Sequence, residues 1–549
     1  MGLRELFNFN GGVKPSYNKE SSNRLPIMEA PLPAELVIPL HQSIGGMPRP
    51  LVGAGDIVAK GQLIGAPDGM VSAAVHASTS GLVKAVEPRV MAHASGLSAL
   101  CVIIEPDGLD RWCDLQPVPW RSMKSDEVRD ALRDAGVVGL GGAVFPSHLK
   151  ISPGKNGYLD TLVINGAECE PFITCDDMQM RERGETIVRG AAILRDLTKA
   201  ARVLIGIEDN KPEAIAAMAA AIKATHEARI EVVVVPTRYP AGGAKQLIRV
   251  LTGIEVPHGE RSTDYGVQCF NTGTACAVYE ALELGRPLIS RIVTVAGNVE
   301  TGRNYEVRFG TPMADVIALS KAKPGTDRII MGGPMMGFAL PNDRVPVVKA
   351  TNCILVGSPA LFPPPPPEMP CIRCGECATA CPADLQPFEM YWFAKARLFG
   401  KAQEYSLFDC IECGCCAYVC PSRIRLVDYF RFAKSEIWAR EKDRLAADHA
   451  RERYEFRLAR EERDKQEKAA KLAAKAAETK AKLARESAGG EAAGNDVDAK
   501  KALIEAAMTK AREQAAPARN TDVSQMTPQQ RAEVAAAEAR QAATPTRET

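Results

Sequence analysis

The chain has 549 residues, a quarter of them charged, and its formal net charge is +1. This length exceeds what one hydrophobic core usually supports, so we expect several domains. The near-neutral balance argues against a broad electrostatic grip on acidic lipid or nucleic acid, and we expect no nucleic-acid partner. Of the sixteen cysteines, eight stand in two regular motifs and the rest lack disulfide-framework spacing, which favours a reducing compartment.

The N-terminal stretch, MGLRELFNFNGGVKP, lacks the apolar core of a signal peptide. No apolar run approaches the ~18 residues that a helix needs to cross a bilayer. We therefore expect a soluble chain, or one held at a membrane through a partner, without a transmembrane segment.

Short apolar pieces separated by glycine and proline predict β-strands in the first domain, residues 1–115. The predicted strands are 36–39, 57–64, 71–76 and 81–86. The phrases VGAGDIVAKGQLIGAP and HASTSGLVKAV resemble a biotinyl/lipoyl-type β barrel-sandwich. That family carries its lysine in the hairpin before the HAS segment, whereas this hairpin reads Pro67-Asp68-Gly69-Met70. The resemblance therefore implies a structural or docking domain without a swinging cofactor.

Strand and helix patterns alternate through residues 120–285. The predicted elements are strands 161–165, 202–207 and 230–235 and helices 177–197 and 212–225. This alternation predicts a Rossmann-like α/β domain, with a mostly parallel sheet covered by helices on both faces. Ligands of such sheets bind at the carboxyl ends of the strands.

A glycine-rich loop, GLGGAVFPSHLK at 139–150, lies near the start of this domain. Glycines let backbone N–H groups approach an anion, and a helix N-terminus beyond the loop would help. The alternative is a tight turn without a ligand, and the loop alone does not decide between them.

Together with 165–171 and 270–274, this loop resembles the flavin-binding subunit of respiratory complex I, in which GRGGAGFPxGLK, NADEGEPG and NNVET build the FMN site and the NADH face. The resemblance implies FMN as cofactor and NAD(H) as substrate. By position, the resemblance places the phosphate end of FMN at Gly139, Gly141, Gly142 and Lys150. It implies hydrogen bonds to the phosphate or the ribityl chain from Asn165, Asn271 and Thr274. On the nicotinamide side, with a catalytic role, it places Phe145, Glu168 and Glu170.

This chain departs from the complex I pattern at two loop positions. Leu140 replaces the Arg of the family pattern, and Val144 replaces its second-to-last loop Gly. We expect these replacements to affect the affinity and orientation of the dinucleotide more than the binding of the phosphate. For Glu168 and Glu170, the alternative interpretation is a solvated or N-capping carboxylate pair. The GAYICGEET segment of the family is matched loosely, as RYPAGGAK at 238–245.

Residues 286–358 read strand, strand, helix, strand, strand. The predicted elements are 292–299, 304–309, 313–318, 328–337 and 347–355. Within them, Gly332-Gly333-Pro334 predicts a turn, and Met335-Met336 is expected in the core. The order resembles the β-grasp (SLBB-type) module that follows the flavin domain in the same protein of complex I.

Residues 359–440 begin with five prolines, 363–367, which predict a stiff polyproline II strut. Two copies of CxxCxxCxxxCP follow, separated by a predicted amphipathic helix at 387–401. Thiolate ligands select iron–sulfur clusters or zinc over hard cations. Zinc is the alternative, but zinc sites favour a CxxC pair with a second pair farther away.

The repeated spacing resembles a bacterial two-cluster ferredoxin, in which three close thiolates hold one cluster and the fourth reaches the other. The resemblance implies a ferredoxin-like α domain with two [4Fe–4S] clusters. The implied ligand sets are Cys371, Cys374 and Cys377 with Cys420, and Cys410, Cys413 and Cys416 with Cys381. Cys415 lies outside the spacing, and we interpret it as a thiol without a ligand role.

Residues 441–549 are rich in Ala, Lys, Glu and Arg with almost no apolar stripe. This composition predicts a solvated helix that passes into disorder after residue 489.

The complete domain order resembles the C subunits of Rnf-type ion-translocating electron-transport complexes. It implies an oxidoreductase subunit that is peripheral on the cytoplasmic side of the inner membrane and exchanges electrons between NAD(H), FMN and the clusters. The implied partners are membrane-embedded and other subunits of the same complex and a ferredoxin-like electron carrier. Two alternatives stay open: a cobalamin reductase of bacterial microcompartments, and an iron–sulfur wiring subunit without flavin chemistry of its own.

Overall fold

A computed structural model of the chain describes residues 6–151, 154, 157–257, 259–487, 501–507 and 509. Residues up to Lys442 form one compact unit, and those from Asp443 onward form a second. The sequence predicts disorder beyond residue 489. Of these positions, the structure describes only 501–507 and 509, which are helical, and the others lie outside the described part of the chain. Within the described residues, no helix is both long and apolar enough to span a membrane.

Two antiparallel sheets form the N-terminal sandwich. The first sheet has the order β2 (Leu36–Pro39), β8 (Ser98–Pro106), β7 (Gly81–Val90), β4 (Ile57–Val58), and the second β3 (Arg49–Pro50), β5 (Leu63–Ala66), β6 (Val75–His76). Their shared core contains Leu36, Ile38, Ile64, Val83 and Ile104. The strand predicted at 57–64 is two strands, because a turn at Gly61 (φ +80°) packs against the Trp112 ring. The strand predicted at 71–76 is confined to β6.

Residues 6–30 do not join the sandwich, although they precede it in the chain. Phe7 N–H donates to Val250 O at 3.0 Å, and Val13 N–H donates to Tyr239 O at 2.8 Å. Further along, β1 (Met28–Glu29) pairs with a strand of the third domain. This segment therefore ties the flavin-type domain to its neighbours, a placement that the composition of the segment did not reveal.

The flavin-type domain is built on a four-stranded parallel sheet. Its order is β11 (Ile230–Val235), β10 (Ala200–Glu208), β9 (Leu159–Gly166), β12 (Val267–Asn271). Its helices are α1 (Ser125–Asp134), α2 (Cys175–Glu182), α3 (Gly184–Thr198), α4 (Pro212–Thr225), α5 (Ala244–Thr252) and α6 (Thr272–Glu283). Alternate strand residues enter two cores: Leu162 and Ile164 face one, and Val163 faces the other with α5. Both faces are thus covered, as the alternating pattern predicts.

The order of the parallel strands reverses between β9 and β12. In open α/β sheets, ligands bind at the carboxyl ends of the strands beside such a reversal. Asn165 is the penultimate residue of β9 and Asn271 is the last residue of β12, and the two are direct partners in the strand register. The helix predicted at 177–197 is two helices, α2 and α3, because Arg183 leaves helical geometry (φ −127°) between them.

The third domain holds a six-stranded mixed sheet. Its order is β1, β14 (Arg303–Arg308), β13 (Ser290–Gly297), β17 (Cys353–Gly357), β15 (Arg328–Met331), β16 (Phe338–Ala339), and α7 (Met313–Ser320) packs on it. The strand predicted at 347–355 is wrong for 347–352. Thr351 N–H donates to Val348 O there, and Val348 N–H donates to Thr351 Oγ1, so the backbone turns before β17 starts.

The fourth domain is helical. Its helices are α8 (Glu376–Thr379), α9 (Pro387–Lys395), α10 (Phe399–Glu404), α11 (Cys415–Tyr418) and the first turns of α12 (Leu426–Ser487). The helix predicted at 387–401 is interrupted at Arg397, which has φ +57°. Phe430 and Ala433 of α12 are buried in the domain core. From Asp443 onward, α12 is exposed and carries i,i+4 ion pairs such as Arg457 with Glu461, as expected for a solvated helix.

Candidate functional site

The eight motif cysteines gather around two separate cavities. One cavity of about 330 Å³ is lined by Cys381, Cys410, Cys413 and Cys416. The other, of about 350 Å³, is lined by Cys371, Cys374, Cys377 and Cys420. Each set takes three cysteines from one motif and the fourth from the other, the arrangement that the ferredoxin resemblance implies.

The cysteine loops wrap their cavities because left-handed residues alternate along them. Arg373 and Gly375 in the first loop have φ +55° and +82°, and Glu412 and Gly414 in the second have +57° and +80°. The remaining walls are mostly apolar, with Met390 and Phe430 at one cavity and Ile424 and Leu426 at the other. Four thiols around a largely apolar cavity fit a [4Fe–4S] cluster, since thiolates are its usual ligands.

Burial raises the pKa of the Cys377 and Cys410 thiols to about 11. Both are therefore protonated near neutral pH while the sites hold no metal. Cluster binding must release these protons, so assembly is favoured as pH rises.

The glycine-rich loop is closed at its base and open at its tip. Gly139 N–H donates to Phe145 O at 2.9 Å, and Leu140 N–H donates to Thr274 Oγ1 at 2.9 Å. Residues 141–143 are exposed. Gly142 has φ +115°, and no atom of the described chain lies within 4 Å of where its Cβ would be. The loop thus presents backbone without side chains beside the N-terminus of α6.

Asn165 and Asn271 flank the strand reversal, and each holds the backbone near the loop. Asn165 Nδ2 donates to Gly242 O at 2.9 Å. Asn271 Oδ1 accepts from Gly273 N–H at 2.9 Å, which caps α6, and Asn271 Nδ2 donates to Asp176 at 2.6 Å. The sequence pattern thus brings Asn165, Asn271 and Thr274 to the edge where the glycine loop lies.

The Lys150 ammonium lies against β12. Its Nζ donates to Cys269 O and lies 4.7 Å from the centre of the Phe270 ring. Burial lowers the pKa of Lys150. Phe145 is half-buried, and its carbonyl closes the glycine loop.

Both candidate carboxylates have protein partners in this structure. Glu168 caps α2: its side chain accepts from Asp176 N–H at 2.8 Å and from Asp177 N–H at 3.3 Å. Glu170 Oε1 accepts from Met335 N–H at 2.7 Å and Met336 N–H at 3.1 Å. For Glu168 this is the N-capping arrangement named above as the alternative. Their placement on the nicotinamide side stays a prediction.

The Met335-Met336 pair does not lie in the core, so that expectation is wrong. Met336 is 45% exposed, and Met335 packs at the edge of an apolar cluster with Cys413 and Cys415. The reason is that the pair lies in the turn between β15 and β16, where Glu170 Oε1 accepts from both backbone amides.

A phosphate-bearing flavin fits the loop on the evidence of its backbone. The space at Gly142 is open, its φ of +115° favours glycine, and Gly141 adds no side chain between the loop and Asn271. Exposed amides and a capped helix N-terminus are the donors that phosphate prefers. The residues that would hold FMN are those of the loop, with Asn165 and Asn271 beside them.

Three residues at this site were not found from the sequence. Lys19 is buried, and its Nζ donates to Glu168 O at 2.8 Å, Glu170 O at 2.9 Å and Ile173 O at 2.5 Å. Burial, with the charge of Glu168, raises the pKa of Asp176 to about 7. Tyr239 is buried and donates to Cys413 O at 2.7 Å. Of these three residues, only Tyr239 could have been found from the sequence, because it lies in the segment 238–245 that loosely matches the complex I family pattern.

The fold and the two kinds of site define a class, a multidomain protein with a flavin-type domain and a cysteine-bound dicluster domain. Three family models match it: the RnfC barrel sandwich hybrid domain at residues 7–109, the Nuo51 FMN-binding domain at 132–280 and the 4Fe-4S dicluster domain at 370–424. These matches confirm the barrel-sandwich, the FMN-binding domain and the iron–sulfur domain.

Curated relatives resemble most of the chain. The C subunit of the ion-translocating oxidoreductase complex of Pseudomonas aeruginosa PAO1 is 47% identical over 471 residues, covering 85% of this chain and 60% of the relative. The corresponding protein of Serratia proteamaculans is 45% identical over 463 residues, covering 84% and 65%. The chain is similar to these C subunits over 84 to 85% of its own length, in keeping with the resemblance of its domain order. It spans about 60 to 65% of the length of these relatives.

Among solved structures, a chain of an NAD+-reducing [NiFe]-hydrogenase in the air-oxidized state matches with a TM-score of 0.39 at 19% identity. The match covers 51% of this chain and 54% of that one. A likeness this distant carries no argument about fold or function.

Proposed function

We propose that this chain is an electron-transfer subunit of a membrane-bound ion-translocating oxidoreductase that moves electrons between NAD(H), FMN and two [4Fe–4S] clusters. The observation that carries the proposal is the cysteine arrangement: each implied ligand set lines its own cavity, and one cavity wall is bonded to the flavin-type domain through Tyr239 and Cys413. The names of the curated relatives support the same class of complex.

FMN, when bound, takes up the two electrons of a hydride and returns them singly, which one-electron clusters require. The protein's part is placement. Backbone amides at 141–143 would hold the phosphate, and Asn165 and Asn271 fix the edge of the sheet beside it. The apolar walls around the cysteines exclude water and so tune the cluster potentials.

The third domain, 286–358, supports assignment as a β-grasp module. Its strands from β13 onward stand in the order β14, β13, β17, β15, β16, with the parallel pair β13 and β17 in the centre. The helix α7 follows β14 in the chain. We further propose a peripheral position on the cytoplasmic side of the inner membrane, with membrane-embedded subunits and a ferredoxin-like carrier as partners, in keeping with the relatives' name as subunits of a complex.

A wiring subunit without flavin is the second candidate. It is favoured by the internal bonds of Lys150, Asn165, Asn271 and Thr274, all of which already have protein partners. The cobalamin reductase alternative has no such support, because the curated relatives at 45 to 47% identity are named as ion-translocating subunits.

Cofactor analysis of the anaerobically reconstituted full chain decides between these candidates. We expect about one acid-extractable FMN and about eight iron atoms per chain. Eight irons without flavin would favour the wiring subunit. Failure to retain iron would contradict both.

A further inference from the structure

The N-terminal sandwich contacts the glycine-rich loop of the flavin-type domain at two points. Ile44 N–H donates to Val144 O at 3.4 Å. His148 Nε2 lies 3.3 Å from Met70 O. Val144 has φ +43°, which is strained for a β-branched residue, so the bond from Ile44 helps to hold the loop in this conformation. One end of the sandwich is therefore fixed beside the loop for which we propose a role in flavin binding.

This end of the sandwich, the sandwich tip, consists of residues 44–47 and 67–71. Gly46 N–H donates to Val71 O at 2.8 Å and joins the two segments. A Cβ on Gly45 would lie 1.8 Å from Val71 O, so only glycine allows this close approach. The two segments therefore form one surface next to the glycine-rich loop.

Most exposed side chains of the sandwich tip are apolar. Met70 is 78% exposed, Ile44 50% and Met47 46%. Asp68 is the only charged residue of the two segments. Methionine side chains are flexible and polarizable, and they contact aromatic rings favourably. An exposed apolar patch beside a candidate site is typical of a surface that binds a ligand or a partner.

The glycine-rich loop offers a dinucleotide few side chains of its own. The exposed residues 141–143 are Gly, Gly and Ala. Leu140 is buried in the core of the flavin-type domain, and Val144 packs against the same core. The two positions that depart from the complex I pattern therefore face inward, and apolar contacts beyond Phe145 require another segment of the chain.

Phe145 connects the sandwich tip to the dinucleotide side of the site. The complex I resemblance places Phe145 on the nicotinamide side, and Phe145 directly follows Val144, whose carbonyl accepts from Ile44. In a dinucleotide, the adenosine half is joined to the nicotinamide half through two phosphates, so it needs a binding surface of its own. Adenine is a flat aromatic ring, and apolar side chains line most sites for such ligands.

We propose that the sandwich tip forms one wall of the NAD(H) site and that Ile44, Met47 and Met70 contact the adenosine half of the dinucleotide. The assignment rests on the proposed function, since it requires NAD(H) to bind at the flavin-type domain. It gives the N-terminal sandwich, whose hairpin at 67–70 contains no lysine, a direct part in substrate binding.

ADP-ribose, which carries the adenosine half without the nicotinamide, is the probe for this wall. Its binding to the full chain, reconstituted with FMN and iron–sulfur clusters, is measured by isothermal titration calorimetry. Met47→Asp and Met70→Asp place a charge in the apolar surface, and we expect each to weaken binding at least about tenfold. FMN and iron content should stay at wild-type values, because both side chains are exposed.

Ile57→Asp is the matched control. Ile57 is also 78% exposed, but it belongs to β4 of the first sheet, where it pairs with Leu82. We expect this variant to bind ADP-ribose like wild type. An equal loss of affinity in Ile57→Asp and the two tip variants would overturn the proposal.

A second measurement uses the wild-type side chains. In the reconstituted protein labelled with ¹³C-methyl methionine, ADP-ribose should shift the nuclear magnetic resonance signals of Met47 and Met70. Met336 is comparably exposed on the third domain, and its signal should stay in place. Conservative substitutions of each residue by leucine assign the three signals. Binding of ADP-ribose without a shift of Met47 or Met70 would contradict the wall.

The affinity of wild type separates the wall from the proposed function. If wild type binds ADP-ribose and both tip variants bind it equally well, only the wall is refuted. If those variants then also fail to associate with other subunits of the complex, the tip binds a protein instead. If wild type retains FMN but binds neither ADP-ribose nor NADH, the NAD(H) part of the proposed function is refuted, and the wall with it.

Discussion

The phenol of Tyr239 donates a hydrogen bond to the carbonyl oxygen of Cys413 at 2.7 Å. This bond joins a loop at the carboxyl edge of the parallel sheet to a cysteine that lines the cavity shared with Cys381, Cys410 and Cys416. Tyr239 is itself buried, and its backbone pairs with Val13 of the N-terminal segment. Three distant stretches of sequence therefore meet at one cysteine loop.

Tyr239→Phe tests this junction. The substitution leaves a buried carbonyl without its donor, which costs about 1 to 3 kcal/mol. We expect a lower urea midpoint of unfolding. We also expect an altered electron paramagnetic resonance signal of the cluster held by Cys381, Cys410, Cys413 and Cys416, with the signal of the other cluster unchanged. Tyr418→Phe is the matched control, because Tyr418 is an exposed tyrosine of the fourth domain, close in sequence to Cys413. Equal effects of the two variants would show that the bond does not matter.

Gly414→Ala and Gly375→Ala form an internally controlled pair. Both glycines have φ near +80° and precede a short helix, so alanine costs about 1 kcal/mol of backbone strain at each. Only at Gly414 does the new Cβ also meet a backbone oxygen, that of Met335 at 2.8 Å, whereas no described atom lies within 4 Å at Gly375. We expect Gly414→Ala to lose clearly more thermal stability and cluster content. A larger loss in Gly375→Ala would contradict this packing of the second cysteine loop.

Asp176→Asn tests the partly buried acid beside Asn271. Burial raises the folded-state pKa of Asp176 from 3.8 to about 7, so its contribution to stability is fully present below about pH 4 and is lost as pH rises through 7. Asparagine cannot ionise, and we expect the variant to gain stability relative to wild type above pH 7, by a few kcal/mol at most since each pKa unit is worth about 1.4 kcal/mol. Urea unfolding between pH 5 and 8 measures this difference. The control is Asp68→Asn in the exposed hairpin; an equal gain there would refute the assignment.

Gly142→Ala tests the flavin cradle. A methyl group at φ +115° adds strain and fills the open space at the loop tip. We expect at least a tenfold loss of FMN affinity, measured by quenching of flavin fluorescence. Gly69→Ala, at φ +75° in open space on the sandwich hairpin, applies similar strain elsewhere and should bind FMN normally. Unchanged FMN binding in Gly142→Ala would place the flavin away from this loop.

The sequence predicted what depends on local pattern. The ferredoxin resemblance of the cysteine motifs implied the two sets that meet around the cavities. The strand pattern placed Asn165 at the carboxyl edge of the sheet, and the resemblance to the complex I subunit pointed to Asn271 beside it. The sequence missed what depends on distant partners. Lys19 holds carbonyls of residues about 150 positions away, and Met335-Met336 looks like a core pair until Glu170 binds its amides. Apolar composition likewise could not show that 347–352 turns instead of extending.

The most direct test of the account is an anaerobic titration of the reconstituted full chain with NADH, following flavin bleaching and the cluster signals together. We predict that the flavin bleaches and that the chain takes up electrons beyond the flavin's own pair, so that reduction requires more than about one NADH per chain. Bleaching that stops at the flavin, or no response of either cofactor, would contradict a path from NADH through the flavin to the cysteine-bound clusters.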